Sequence, residues 1–347
     1  MAHEITDRHE GCLLGGACGD ALGASVEFLS LDEIKEKFGP EGIRDMAEAH
    51  GKVGAVTDDT QMLLFTASGL LRAVTRCNVR GDCHVPSIVY YAYQRWLATQ
   101  GGGVNRGPSP PTWLEFLPEL WQVRAPGKAC ITALGSGRMG TLHEPINDSK
   151  GCGGVMRIAP VGILVREDLA FSLGCEIAAI THGHPTGCLA AGAMALLVRR
   201  LMEGDTLDQA LDAVCAVLMA QPQGGETLAA LENARNMAGN DPDTPESVEK
   251  LGQGWVAEEA LAIAVFCALK AGEDFEKGIV LAVNHGGDSD STGSITGNIL
   301  GVMLGARAIP ERWLADVELR QAITEMAHDL RTEFRDDEEW FARYPPS

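Results

Sequence analysis

Two short acidic runs, Thr57-Asp58-Asp59-Thr60 and Asp288-Ser289-Asp290-Ser291, stand far apart in a chain of 347 residues. Each directly precedes a helix-like stretch and so has an ordinary explanation as an N-cap. Ser, Thr and Asp oxygens accept bonds from free N–H groups there and suit the positive helix end. A cap needs only one oxygen. Together the runs supply four carboxylates and several hydroxyls, the ligands of hard cations such as Mg2+ or Mn2+, and two adjacent cations need bridging carboxylates. Asp at i and i+2 in a turn can aim both carboxylates to one side. Four converging carboxylates with no cation would repel and raise their pKa values. If the fold brings the runs together, the chemistry is a binuclear, oxygen-ligated metal site.

A second constellation is Ser149, Lys150, Gly151, Cys152 and Gly153. Glycines let backbone N–H groups face an anion and Lys150 adds charge, which suits phosphate, although Gly-rich turns also serve as plain connectors. Cys152 reads as a packing residue ahead of a redox-sensitive thiol. His182 and His184 offer two ligands with no Cys or acidic partner nearby, which disfavours zinc. His285, beside the second acidic run, reads as a hydrogen-bond donor behind the ligands rather than a ligand. Glu27 by itself reads as a helix-end glutamate. Trp113, Phe116 and Trp121 are candidates for a rim contact with a planar ligand, with core packing the plainer role.

The elements that must position these residues read as helices. Leu189–Glu203, Leu207–Met219 and Glu258–Ala271 are rich in Ala and Leu, with apolar positions three and four apart and no sustained alternation. The expected class is all-α, in one domain over 1–347, because no Pro/Ser-rich linker divides the chain. Gly11, Gly15, Gly19 and Gly23 recur every fourth residue, as do Gly293, Gly297, Gly301 and Gly305. On a helix each series is a small-residue stripe that admits a neighbouring backbone. Glycine costs about 1 kcal/mol per helix-interior position, so the stripes predict two central helices, one near each terminus, packed closely against other helices or each other. The segments 100–111, 135–154 and 240–245 read as loops.

Composition narrows the function. The chain is 45% hydrophobic and 22% charged, as globular proteins are, and carries a formal charge of −20. That charge disfavours a broad nucleic-acid or anionic-membrane surface, though not a local phosphate pocket. No apolar run approaches a bilayer span, and the N-terminus shows no signal-peptide pattern, so a cytoplasmic location is expected. Ten cysteines stand singly, with no CxxC and no structural-zinc spacing, and read as reduced core residues.

Six segments, in order from Gly11 to about Ala306, resemble the ADP-ribosylglycohydrolase family. GGACGDALGASVEF (15–28) resembles its opening motif and TDDTQMLLFTASGLL (57–71) its first metal motif. SKGCGGVMRIAP (149–160) resembles its ribose- and phosphate-binding loop, THGHPTG (181–187) the segment after it, and GWVAEEALAIA (254–264) its closing helix. NHGGDSDSTGSITGNILG (284–301) resembles its second metal motif. The resemblance implies a compact orthogonal helical bundle around two Mg2+ ions, with Thr57, Asp58, Asp59, Asp288, Asp290 and Ser291 as ligands. It implies hydrolysis of the N- or O-glycosidic bond joining ADP-ribose to an acceptor, the metals holding ribose hydroxyls. By the same resemblance His182 contacts ADP-ribose and Glu27 gates or polarises the site. The family pattern often has Asn where this chain has Cys152. Such hydrolysis needs an activated water, for which Asp59 or Asp58 is the candidate, and a proton for the leaving group. Arginine on an ADP-ribosylated protein is the favoured acceptor by resemblance, with serine, a nucleic-acid base or a free metabolite as the others; the 100–128 region is expected to shape that choice. The competing functions are a non-catalytic ADP-ribose-binding protein, a binuclear phosphohydrolase, and a purely structural role.

Overall fold

The computed structural model describes residues 2–103 and 110–346. Part of the expected 100–111 loop, 104–109, therefore lies outside the described residues. Among the described residues the chain forms 17 α-helices, and its sheet is a two-residue antiparallel pair, Glu48–Ala49 with Lys52–Val53. The all-α expectation holds. No helix among them is long and apolar enough to cross a membrane. The segments read as helical from apolar period appear as Pro185–Glu203, Leu207–Met219 and Ala257–Ala271.

The glycine stripes meet each other. The N-terminal helix, Ala2–Gly23, runs against the Ser289–Leu304 helix with Gly11 opposite Gly301, Gly15 opposite Gly297 and Gly19 opposite Gly293. A Cβ added to Gly11 would lie 2.2 Å from the Gly301 carbonyl oxygen, and one on Gly15 2.4 Å from that of Gly297. Backbones this close exclude any side chain, and the contact regained between them offsets the glycine entropy. Asn298 lies flat over Gly16 and donates from Nδ2 to the Cys12 carbonyl at 2.7 Å, pinning the register. Both helices are buried along most of their length, so they form the centre of the bundle.

The Asp58–Arg80 helix lies beside this pair. Thr57 caps its N-terminus and Gly81, in the left-handed region at φ 82°, ends it. The reversal at Gly81 brings Cys83 back over the last turn, where it forms a disulfide with Cys77. This corrects the expectation that all ten cysteines are reduced; the other eight are free, six of them buried.

Candidate active site

The close glycine crossing has a chemical consequence, because Gly23 at the end of the first helix abuts the Ser289 carbonyl. Glu27, one turn further on, is thereby delivered to the start of the Ser289–Leu304 helix. One carboxylate oxygen each from Glu27, Asp288 and Asp290 lies within 4.8 Å of the others. The first acidic run arrives from the Asp58–Arg80 helix, and Asp58, Asp59, Asp288, Asp290 and Ser291 line the same cleft of about 360 Å³. The two runs converge.

Asp20 couples the cluster to the central helix. Fully buried, its carboxylate accepts the Thr57 N–H at 3.0 Å, the Thr60 N–H at 3.1 Å and the Thr60 hydroxyl, so it caps the Asp58–Arg80 helix from outside. Thr57 itself accepts the Asp59 N–H at 3.3 Å and does not line the cleft. Asp58 is oriented by the Gly127 N–H at 3.1 Å. Asp59 is 2% exposed, and its Oδ1 has no hydrogen-bond partner. Asp290 accepts the Ser291 N–H at 2.9 Å, and Asp288 accepts the Cys152 thiol at 2.8 Å.

None of these carboxylates has a salt bridge among the described residues, and burial beside like charges raises the pKa of Asp20, Glu27, Asp58, Asp59 and Asp288. Burial first, and then Asp290, raise Asp20 to about 7. Burial and the facing Asp290 and Asp288 raise Glu27 to about 10. Asp58, Asp59 and Asp288 are likewise pushed well above the carboxylate range, chiefly by burial. A buried all-oxygen cluster with an unpartnered Asp59 oxygen and no salt bridge among the described residues fits a divalent cation.

The glycine loop forms the adjoining wall, in contact with the second acidic run through Cys152. Gly151, Cys152 and Gly153 line the cleft. The loop is zipped to the 254–257 segment by Cys152 N–H to the Trp255 carbonyl at 3.1 Å and Ala257 N–H to that of Lys150 at 2.8 Å. Asn147 Oδ1 accepts both the Ser149 and Gly183 N–H groups at 3.0 Å, tying this loop to the 181–184 turn. The expectations for Ser149 and Lys150 take a different form. Neither lines the cleft: Ser149 Oγ accepts the Gly151 N–H at 3.3 Å, and Lys150 Nζ is held by Glu226 at 2.7 Å and by Glu258. Two carboxylates turn this cation away from the cleft, so it braces the loop from behind.

His182 lines the cleft, whereas His184 caps the Pro185–Glu203 helix, its Nδ1 accepting the Thr186 N–H at 3.2 Å. His285 Nε2 lies 2.9 Å from Thr292 Oγ1, a hydroxyl also within 2.8 Å of the Ala282 carbonyl and 3.0 Å of the Asp288 carbonyl, so this histidine stands behind the acidic run. The rim aromatics are not the candidates from the 100–128 region, for which core packing is the plainer role. Trp113, Phe116 and Trp121 do not line the cleft; Phe28 and Trp255 do, stacked at 5.5 Å with 21° between their planes. Phe28 sits at φ 68° and is 69% exposed, a conformation that carries its ring into the mouth. A larger groove of about 690 Å³ between 35–44 and 274–284 is a different matter, since its cations are paired within the protein, Lys35 with Glu246, Arg44 with Glu276 and Lys277 with Asp243.

The sequence and the helical fold have counterparts among known proteins. The family model for ADP-ribosylglycohydrolase matches residues 1–339, and the chain belongs to that family. It is accordingly a hydrolase of ADP-ribose linkages. It is 30% identical over 336 residues to an uncharacterized protein of Archaeoglobus fulgidus, covering 94% of this chain and 96% of that one. It is 24% identical over 343 residues to the ADP-ribosylarginine hydrolase Tri1 of Pseudomonas putida, covering 94% of this chain and 78% of that protein. A solved ADP-ribosylglycohydrolase-related protein complex superposes with a TM-score of 0.70 at 30% identity, over 96% of this chain and 100% of that one.

Proposed function

We propose that the protein releases ADP-ribose from arginine side chains of ADP-ribosylated proteins, using two Mg2+ ions, with Mn2+ as the substitute, held by Thr57, Asp58, Asp59, Asp288, Asp290 and Ser291. The observation that carries this reading is the unpartnered Asp59 Oδ1, buried among carboxylates in the cleft that the glycine loop also lines. When bound, the ions supply positive charge against the ribose oxygens.

The protein groups do the rest. With the ions bound, Asp59 is kept ionised by their charge, so that its oxygen not holding an ion accepts a proton from the attacking water, while Asp58, fixed by Gly127, steers that water. Glu27 stands at the junction of the cluster and the mouth, where it polarises the acceptor. The backbone of Gly151–Gly153 and the His182 ring serve the diphosphate. Phe28 and Trp255 offer flat apolar faces to a base or to the acceptor side chain. The field of a chain of charge −20 favours a cationic acceptor such as arginine over a neutral one. Cytoplasmic action in one domain over 1–347 belongs to the same proposal.

The test is to incubate the protein and Mg2+ with arginine-linked and serine-linked ADP-ribosyl proteins and follow products by mass spectrometry. Intact ADP-ribose from the arginine linkage is expected. Release from serine alone would overturn the acceptor, inorganic phosphate would indicate a phosphohydrolase, and tight ADP-ribose binding without release from either substrate would indicate a binding protein.

A further inference from the structure

We propose that Arg157 and Thr181 are positioning residues that lock His182 in one neutral tautomer, its proton on Nε2, as a fixed hydrogen-bond donor facing the cleft. The tautomer rests on geometry alone, whereas the ligand oxygen it would serve rests on the ADP-ribosyl reading above.

The direction of the chain is set at its far end. A guanidinium has donors and no acceptor. Arg157 is fully buried, its guanidinium 4.3 Å from the Tyr93 ring centroid, and its Nη2 donates to Thr181 Oγ1 at 2.6 Å. That bond occupies a lone pair of the hydroxyl and leaves its hydrogen to be placed. His182 Nδ1 lies 2.8 Å from the same oxygen, and the other acceptor against the hydroxyl is the Cys130 sulfur, a weak one. The hydroxyl hydrogen therefore goes to Nδ1. An accepting Nδ1 leaves the single proton of a neutral imidazole on Nε2. In the opposite tautomer Nδ1–H and Arg157 would both donate to Thr181, and the buried hydroxyl would have only sulfur to donate to.

The ring also stays uncharged. Burial, and then the Arg157 charge, lower His182 to about 3. At neutral pH it is not a proton reservoir. Its free edge rests on the glycine loop, since a Cβ at Gly151 would lie 3.4 Å from Nε2 and one at Gly153 3.3 Å. Glycine at both positions leaves that N–H uncovered, and no acceptor among the described residues takes it. The complementary ligand atom is an oxygen acceptor, a phosphate oxygen or a sugar hydroxyl lying along the loop.

Long-range proton–nitrogen correlation spectra of protein labelled with 15N-histidine read the tautomer directly. Wild type should show an unprotonated Nδ1 and a protonated Nε2 for His182, unchanged down to about pH 5. Thr181→Val should shift both nitrogens toward a tautomer mixture and weaken ADP-ribose binding by about tenfold. Thr181→Ser should restore both. A protonated Nδ1 or a charged ring in the wild type would overturn the relay even if the valine variant failed to fold, as would a valine variant with an unchanged spectrum. The predicted tautomer in a protein that does not bind ADP-ribose would support the relay and refute the ligand reading instead.

Discussion

Gly19 and Gly293 occupy one point in space so fully that a Cβ on Gly19 would lie 2.0 Å from the Gly293 carbonyl oxygen. Alanine at either position must push two central helices apart. Gly19→Ala should cost about 3 kcal/mol in denaturant unfolding. Gly239→Ala, at an exposed helix position with nothing within 4 Å, should instead stabilise by about 0.5 kcal/mol. Equal effects from both would show that close approach is not what demands glycine.

Asp59→Asn and Asp290→Asn each remove one ionisable carboxylate from a buried cluster that has no salt bridge among the described residues. In metal-free protein at alkaline pH, thermal unfolding should move upward, because the amide carries no charge to bury or to repel its neighbours. Addition of Mg2+ should raise the melting temperature of wild type, and that rise should be absent in both variants, along with turnover. A normal Mg2+ response in either variant would remove that residue from the metal-holding set.

The raised carboxylates define a pH dependence with a definite sign. Burial stabilises their protonated forms in the folded chain, so this contribution is full below their ordinary values and disappears as pH rises through the folded ones. For Asp20 that loss runs from near 3.8 to about 7. For Glu27 it continues from near 4.5 to about 10. Chelator-treated protein should therefore unfold at lower temperature at about pH 8 than at about pH 5, and saturating Mg2+ should narrow the difference. Calorimetry with and without chelator measures it. A metal-free protein that gains stability over this range would contradict the assignment.

Phe28 and Trp255 meet at the mouth rather than within the core. Replacing either by alanine should raise KM for an ADP-ribosylated substrate by about tenfold, with kcat within about twofold, the pattern of lost ground-state contact. Trp121→Ala, outside the cleft, should leave both constants unchanged.

The sequence was most legible where one local rule sufficed. Period-four glycines foretold close helix packing, and paired Asp residues beside Ser and Thr foretold a cluster. What escaped depends on partners distant in the chain. Lys150 looked like an anion ligand until the 254–257 segment brought Glu258 against it. Phe28 and Trp255 lie far apart in sequence, and only a positive φ and a zipped loop join them. Cys77 and Cys83 match no familiar spacing, and their pairing follows from the chain reversal at Gly81. Asp20 did leave a signal, the one charge in the otherwise small and apolar stretch 11–23 of its helix, which in a buried segment implies a waiting set of donors.

The glycine crossing also constrains how the molecule comes into being. Asn298 reaches the Cys12 carbonyl across 286 residues of chain, so a ribosome releases the first helix long before its partner exists. Pairings of such span fold slowly and leave early segments waiting with apolar surface uncovered. Glu27 and the acidic run at 57–60 must wait as well, and the hydrolytic centre is complete only once the run at 288–291 has been made.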